Sequence, residues 1–326
     1  MAATADGQLH VYFLNVGQGD TSVIVTPQGR VLIIDAARPL KLSRFLIDLG
    51  AARGTDIDLL VITHPHNDHY SGAGRVVNSY RVSQAVLCPF WNAFGMGPLG
   101  YRQLVADLYN RGARCQFLSG YTRFYPDLLS STTAPLNATP TDCLLELLGP
   151  SNGLVTSLEQ QGLFDTNHLS IMSRITWQKT GLIIAADAQM ENWAVFDSER
   201  MAADRADVLR AAHHGSGNGT QWERLKRLRP DVVVVSSDLA DRHRLPDVTG
   251  ASVFARYTRD GRKPLVTLTG DTGTIEVIIS SNGNTVVNAF GDTRGQNVNL
   301  ANRVLLTRRT NPTDWKNVLV DKANAL

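Results

Sequence analysis

The sequence predicts an α/β protein, a four-layer αββα sandwich in which two β-sheets pack together with helices outside. Short apolar runs closed by polar punctuation recur in both halves of the chain, and helical spacings fall between them. No internal repeat at solenoid periods is evident.

The elements follow in order. Residues 10–15 and 21–26 read as strands flanking Gly17-Gln18-Gly19-Asp20, and 31–34 follow the turn at Pro27-Gln28-Gly29, giving an opening β-meander. Leu42, Phe45, Leu46 and Leu49 then recur at three- and four-residue spacing, a helical stripe. Residues 59–63 form a buried strand that runs directly into His64. A strand over 82–88 and a helix over 101–111, with Leu104 and Leu108 on one face, come next. The Ser-, Thr- and Pro-rich stretch 119–141 has little periodicity and reads as a surface insertion. Beyond it, 144–148, 170–177, 182–186, 208–212 and 232–236 are strands, and 190–201 and 222–228 are helical. Residues 264–268 and 274–279 read as a terminal hairpin. This makes 1–290 one domain and leaves 291–326, polar and containing Arg308-Arg309, as a tail or extension.

With 326 residues, 43% of them apolar, the chain can bury a sizeable core. Its 32 basic and 30 acidic residues leave a net charge of +2, which excludes a disordered charged tail and argues against holding nucleic acid by bulk charge. A local basic stretch, Arg205, Arg210, Arg224, Lys226, Arg227 and Arg229, reads either as solvated helix faces or as a phosphate-backbone surface. Cys88, Cys115 and Cys143 form no CxxC pair, so neither a thiolate metal site nor a disulfide scaffold is expected. The start of the chain lacks a signal-peptide layout, and no stretch reaches the ~18 apolar residues of a membrane span, so a cytoplasmic protein without membrane contact is expected.

The chemistry concentrates in His64-Pro65-His66-Asn67-Asp68-His69, which puts three of the chain's eight histidines and a carboxylate within six residues. Pro65 prevents a regular helix, so the segment is a strand-end loop suited to metal ligation. It can deliver His64 and His66 to one centre, and Asp68 and His69 to a neighbouring one. A bridging carboxylate is also needed, and Asp187 and Asp271 both follow apolar runs. Asp187 is chosen because a histidine pair, His213-His214, still lies ahead of it, whereas no histidine follows Asp271. His213 is the preferred metal ligand, with His214 placed behind it or as a phosphate donor. Asp35 is expected to order the histidine loop by hydrogen bonding, and Asp20 sits in a hairpin turn or at the site edge. Trp91 and Phe94 lie on a Gly-rich loop that either walls a substrate groove or packs beneath itself. No GxSxG elbow is present, which disfavours a serine hydrolase.

The HxHxDH pattern with upstream Asp35 resembles the metallo-β-lactamase superfamily. Asn15-Val16-Gly17-Gln18-Gly19-Asp20, Asn167-His168-Leu169-Ser170 and His213-His214-Gly215-Ser216, in that order, resemble the hydrolase domain of ComEC-type competence proteins over roughly residues 8–280. That resemblance implies the αββα fold, two divalent metal ions (zinc or manganese) and phosphodiester hydrolysis, in family members often of DNA. Carried across, His64 and His66 bind one metal, Asp68 and His69 the other, Asp187 bridges, and His213 completes the second site. Asn167 and Ser170 match the family's NxxS element and fall to substrate binding. His168 either binds metal or faces solvent, and His243 in His243-Arg244-Leu245-Pro246 only loosely matches a late family histidine. Two metals about 3.5–4 Å apart would activate a bridging hydroxide, with Asp68 orienting it and His214 stabilising charge or protonating the leaving oxygen. The alternatives are a lactone, thioester or β-lactam hydrolase on the same centre, or a non-catalytic metal-binding subunit of a larger complex. A nucleic acid or nucleotide is the expected substrate, and a protein partner or homo-oligomer stays open.

Overall fold

The computed structural model describes residues 5–51, 53–89, 99–128, 143–198, 205–241, 243–307 and 313–325. Strands β1 (Leu9–Phe13), β2 (Ser22–Val25), β3 (Val31–Ile34), β4 (Asp56–Ile62), β5 (Arg81–Leu87) and β6 (Arg114–Phe117) open the chain. There follow β7 (Tyr121–Phe124), β8 (Leu144–Leu148), β9 (Met172–Trp177), β10 (Thr180–Ile184), β11 (Val208–Arg210), β12 (Val232–Val235) and β13 (Leu265–Leu268). The last three are β14 (Ile275–Ile279), β15 (Thr285–Ala289) and β16 (Val304–Leu305). The first sheet runs β16-β15-β14-β1-β2-β3-β4-β5-β6, and the second β13-β12-β11-β10-β9-β8-β7.

The inner strands β3 and β12 read as unbroken apolar runs because both faces of each are covered. Along β1, Val11 and Phe13 point between the sheets, where they meet Ile184, Val208 and Val234 of the second sheet. Tyr12 alternates to the opposite face and joins Phe45 and Leu42 of the helix Pro39–Asp48. On the far side, Leu209 and Val233 turn outward onto Trp193, Leu225 and Phe254 of the covering helices. These contacts make the four layers.

Strands β1, β2 and β3 form the expected antiparallel meander. From β3 to β6 the pairing is parallel, and so is the run from β10 to β13. Parallel strands gather their carboxyl ends on one edge, where ligands bind in open α/β sheets. His64 follows β4, Asp187 follows β10 and His213 follows β11, so the topology brings them to one place.

Three expectations need correction here. Residues 264–268 and 274–279 are not a hairpin: β13 pairs with β12 in the second sheet and β14 with β1 in the first. The Gly-Asp-Thr-Gly sequence between them looks like a hairpin turn, but it carries the chain from one sheet to the other. Gly273 makes that passage possible at φ +79°, where an added Cβ would lie 2.4 Å from the Asp292 nitrogen. The stretch 119–141 contributes β7 as an edge strand, and 129–142 lies outside the described residues. Part of 291–326 is built into the body. Val304–Leu305 extends the first sheet, and the helix Trp315–Asn324 packs its Trp315 ring 4.7 Å from Phe254 while Trp315 Nε1 donates to Val266 O at 2.6 Å. Among the described residues no helix is long and apolar enough to cross a membrane.

Candidate metal centre

Asp187 stands at the middle of the cluster, and its two oxygens face different partners. Oδ1 lies 3.3 Å from His69 Nε2 and 3.4 Å from His214 Nε2. Oδ2 lies 3.9 Å from both His64 Nε2 and His213 Nε2. His66 Nδ1 is 3.1 Å from His64 Nε2, on the Oδ2 side. Asp68 Oδ2 is 3.5 Å from His214 Nε2, on the Oδ1 side. The two oxygens of one carboxylate therefore face two groups of donors.

The groups behind the histidines set their tautomers. His214 Nδ1 donates to the Ser236 carbonyl at 2.8 Å, and a carbonyl can only accept. His69 Nδ1 donates to Asp35 Oδ2 at 2.7 Å, and His213 Nδ1 to Asn218 Oδ1 at 2.9 Å. Thr63 gives its hydroxyl proton to Asp35 Oδ2, so at 3.1 Å it accepts from His64 Nδ1. Four imidazoles are thus anchored through Nδ1–H and present Nε2 to the centre, the arrangement that orients histidine ligands on a metal. Asp35 also accepts from Thr63 N at 2.8 Å, tying the histidine loop to the end of β3.

The buried polar atoms test whether a metal fits. Among the described residues, His69 Nε2, His214 Nε2 and Asp187 Oδ1 are buried without a hydrogen-bond partner. Each such atom costs about 1–3 kcal/mol if nothing meets it. Three of them aimed at one point, with Asp68 beside them, make a nitrogen and oxygen donor set suited to a divalent cation. The residues present fit the group.

Protonation follows the same geometry. Burial acts to lower His214, but the Asp187 carboxylate, with Asp68 and Asp20, overrides it and pushes the group up to about 10. Burial likewise opposes His69, and Asp187 and Asp35 hold it well above the ordinary histidine value. Asp187 is held well below the carboxylate range despite its burial, by His214 and His69. His64, buried and beside His69, is held well below the ordinary value, and His66 is lowered, mainly by burial. In the metal-free chain, protons on His69 and His214 offset the charge of Asp187.

Backbone strain marks the same spot. Asp35, Ala186, His213 and His214 have φ of 58°, 49°, 47° and 51°, the left-handed region that ordinary residues avoid. The two consecutive left-handed histidines send their rings to opposite sides of Asp187. This re-sorts the histidine pair relative to expectation. His214, not His213, joins Asp68 and His69, while His213 turns to the His64 side. His214 is buried, with Nδ1 on the Ser236 carbonyl and Nε2 facing Asp187 and Asp68.

Other expected site residues fall differently. Ser170 is buried beneath the centre, where its Oγ accepts from Asp187 N at 3.2 Å; it does not face substrate. Asn167 Nδ2 is 3.3 Å from His213 Nε2. His168 is turned away: its Nδ1 accepts from Asp165 N at 3.0 Å and its Nε2 meets Glu191 at 3.2 Å, a capping arrangement of the opposite tautomer. His243 is exposed in a turn in which its backbone N–H donates to Asp241. Trp91 and Phe94 lie outside the described residues.

Asp20 reaches the site edge through the close packing of Gly19, where an added Cβ would lie 2.7 Å from Asp68 O. Asp20 N donates to that same carbonyl at 3.0 Å. Each cation of the basic stretch has an acidic neighbour. Arg224 and Arg227 pair with Asp197, Arg229 with Asp260, Arg205 with Asp207 and Lys226 with Glu223. Arg210 is fully buried and pairs with Asp20. Sequence reasoning missed Ser236 and Asn218 as histidine anchors, and neither carries a local signal.

This fold, with histidines and aspartates at the strand ends, defines a class, and the chain belongs to it: the sequence profile of the metallo-beta-lactamase superfamily matches residues 14–237. The chain is a metal-dependent hydrolase of the metallo-beta-lactamase fold. Among curated proteins it is similar to Recombination protein 2 of Haemophilus influenzae, 22% identical over 248 residues that cover 75% of this chain and 26% of that protein. It is also similar to ComE operon protein 3 of Bacillus subtilis, 24% identical over 265 residues, covering 76% and 31%. The chain thus matches between a quarter and a third of the length of these relatives, in keeping with the ComEC-type resemblance. Similar solved structures include Zn(2+)-bound PqqB from Methylobacterium extorquens, 13% identical with a TM-score of 0.47 over 78% of this chain and 98% of that one. Another is the metallo-beta-lactamase fold protein YhfI from Bacillus subtilis, 13% identical with a TM-score of 0.45 over 80% and 96%.

Proposed function

We propose that the chain is a phosphodiesterase that cleaves nucleic acid or a nucleotide phosphodiester with two divalent cations. The observation that carries this reading is the two-sided environment of Asp187. His64, His66, His213 and Asp187 would hold one cation, and Asp68, His69, His214 and Asp187 the other. Bound there, the pair supplies Lewis acidity at a phosphoryl oxygen and a water made acidic enough to attack near neutral pH.

The chain's own residues do the rest. Asp68 has a side chain 36% exposed, against 3% for Asp187, so it can meet both solvent and substrate. Although burial alone would raise it, His214 and His69 hold its carboxyl below the usual range, so it is ionised at neutral pH and can orient an attacking water by accepting a hydrogen bond from it. Asp35, Thr63, Ser236 and Asn218 hold the histidine rings. Ser170 holds the Asp187 backbone. The ordered motifs shared with ComEC-type proteins, and a curated relative named as a recombination protein, support DNA as the substrate class.

The test is hydrolysis of bis-p-nitrophenyl phosphate and plasmid DNA by metal-stripped protein re-supplied separately with zinc and manganese. Cleavage restored by metal and lost in Asp68→Ala is expected. Two bound metals without cleavage of either substrate overturns the phosphodiesterase reading and moves the search to lactones and thioesters. Loss of folding together with turnover in the variant points to a structural metal site.

A further inference from the structure

A fully buried arginine lies directly behind the centre. In β11 the side chains alternate, and Arg210 follows Val208 into the space between the two sheets at their site end. A guanidinium in that position carries a large desolvation penalty, which only a complete set of acceptors offsets. Arg210 has them. Its Nη2 donates to Asp20 Oδ1, its Nη1 to Ala186 O at 2.6 Å and its Nε to Ser236 Oγ at 3.3 Å.

Each acceptor leads to one residue of the cluster. Asp20 donates its backbone N–H to Asp68 O at 3.0 Å. Ala186 is the strained residue that projects Asp187. Ser236 O accepts from His214 Nδ1 at 2.8 Å, and Arg210 Nη2 lies 3.3 Å from that nitrogen. The guanidinium therefore bears on Asp68, Asp187 and His214 together, from three segments and both sheets. Ala186 O also accepts from His213 N at 2.9 Å, so the guanidinium reaches the His213 side through that one carbonyl, whereas none of its hydrogen bonds runs to His64 or His66.

We propose that Arg210 is a positioning residue for one half of the metal centre: it locks the first-sheet loop at Asp20 to the second-sheet strand ends, and so sets the Asp68–His69–His214 half-site in register with Asp187. The inference rests on the two-metal reading above. Removing the guanidinium frees the two sheets to drift at this edge, and the half-site held by all three of its contacts loses most geometry. The His64–His66 half also takes Asp187 and His213 from the second sheet, but it feels the latch through Ala186 alone, whereas the Asp68–His69–His214 half feels it at Asp20, Ala186 and Ser236.

The experiment measures metal content and affinity, not turnover. Wild type, Arg210→Met and Arg210→Lys are stripped and titrated with manganese and with cobalt, the cobalt absorption reporting ligand geometry at each half-site. Wild type is expected to take two equivalents. Arg210→Met is expected to weaken the Asp68–His69–His214 half by about 10–100-fold, the usual cost of losing a group that supports a metal ligand, and the His64–His66 half by less. Arg210→Lys, which keeps the charge but cannot reach three acceptors at once, falls between them. Two equivalents of unchanged affinity in folded Arg210→Met overturn the proposal, as does equal weakening of both. If Arg210→Met does not fold, Asp20→Asn takes its place with the same expectation, and unchanged binding there overturns it equally. Wild type that binds only one equivalent refutes the two-metal reading itself, a result distinct from either.

Discussion

The molecule buries two clusters of charge, and they are built on opposite rules. One, centred on Glu276 of β14, lies on the outer face of the first sheet. Its carboxylate has no exposure and is saturated: His10 Nδ1 lies at 2.9 Å, Arg303 Nη2 at 2.9 Å and Asn288 Nδ2 at 3.1 Å. The other, centred on Asp187, leaves two imidazole nitrogens and a carboxylate oxygen buried without partners among the described residues. It also gathers four left-handed residues that are not glycine, whereas Glu276, His10, Asn288 and Arg303 include none. Saturation and relaxed backbone are what a structural cluster needs. A centre that must receive something keeps its donors uncommitted and accepts the strain.

The largest expected difference comes from removing each central carboxylate. Asp187→Ala deletes the group both half-sites share, and metal binding should fall by more than the roughly 10–100-fold cost of a supporting group, with hydrolysis lost. Equilibrium dialysis with metal analysis checks it. Glu276→Ala should leave metal stoichiometry unchanged and cost about 1–3 kcal/mol of stability, because it strips partners from buried polar groups. Chemical denaturation reads that cost. If Glu276→Ala disturbed metal binding as much, the contrast between the clusters would fail.

A pH series separates them in sign. His214 is raised in the folded metal-free chain, so its stabilising contribution is present below about 6.5 and is lost as pH rises through about 10. Glu276 is depressed, with its burial overridden by His10, so its contribution is present above about 4.5 and is lost as pH falls through its lowered value. Unfolding of metal-free protein should therefore show one loss on the alkaline side and another on the acid side. Metal should remove the alkaline loss, because it replaces the proton on His214, and its apparent affinity should rise with pH. A metal-free protein equally stable from pH 7 to pH 10 would contradict this account.

The smallest effect belongs to the strain. Ala186 at φ 49° adopts a conformation that glycine reaches without steric cost. Ala186→Gly relieves about 1–2 kcal/mol of left-handed strain and gives back about 0.5–1 kcal/mol in chain entropy. The expected net gain is below about 1.5 kcal/mol in thermal unfolding, with metal stoichiometry unchanged. A clear destabilisation would mean the Ala186 methyl group packs in a way that outweighs its backbone.

What the sequence determined by itself is local. Apolar runs of strand length, the meander turn at Pro27-Gln28-Gly29, and a proline-broken histidine loop directly after a buried strand are patterns within a few residues, and local sterics and periodicity decide them. Chain order alone separated Asp187 from Asp271. Tertiary structure decided what depends on distant partners or on the sign of one dihedral angle. The sequence His213-His214 does not reveal two left-handed residues, yet that geometry assigns the rings to different sides of Asp187. Arg210 looked like one cation in a basic run, and its burial follows from strand alternation and an acceptor 190 residues away in the chain. The passage from β13 to β14 likewise resembles a hairpin locally, but β12 and β1 offer each strand a long-range partner in a different sheet. Local chemistry chose the elements and donors; long-range pairing and burial chose which donors meet.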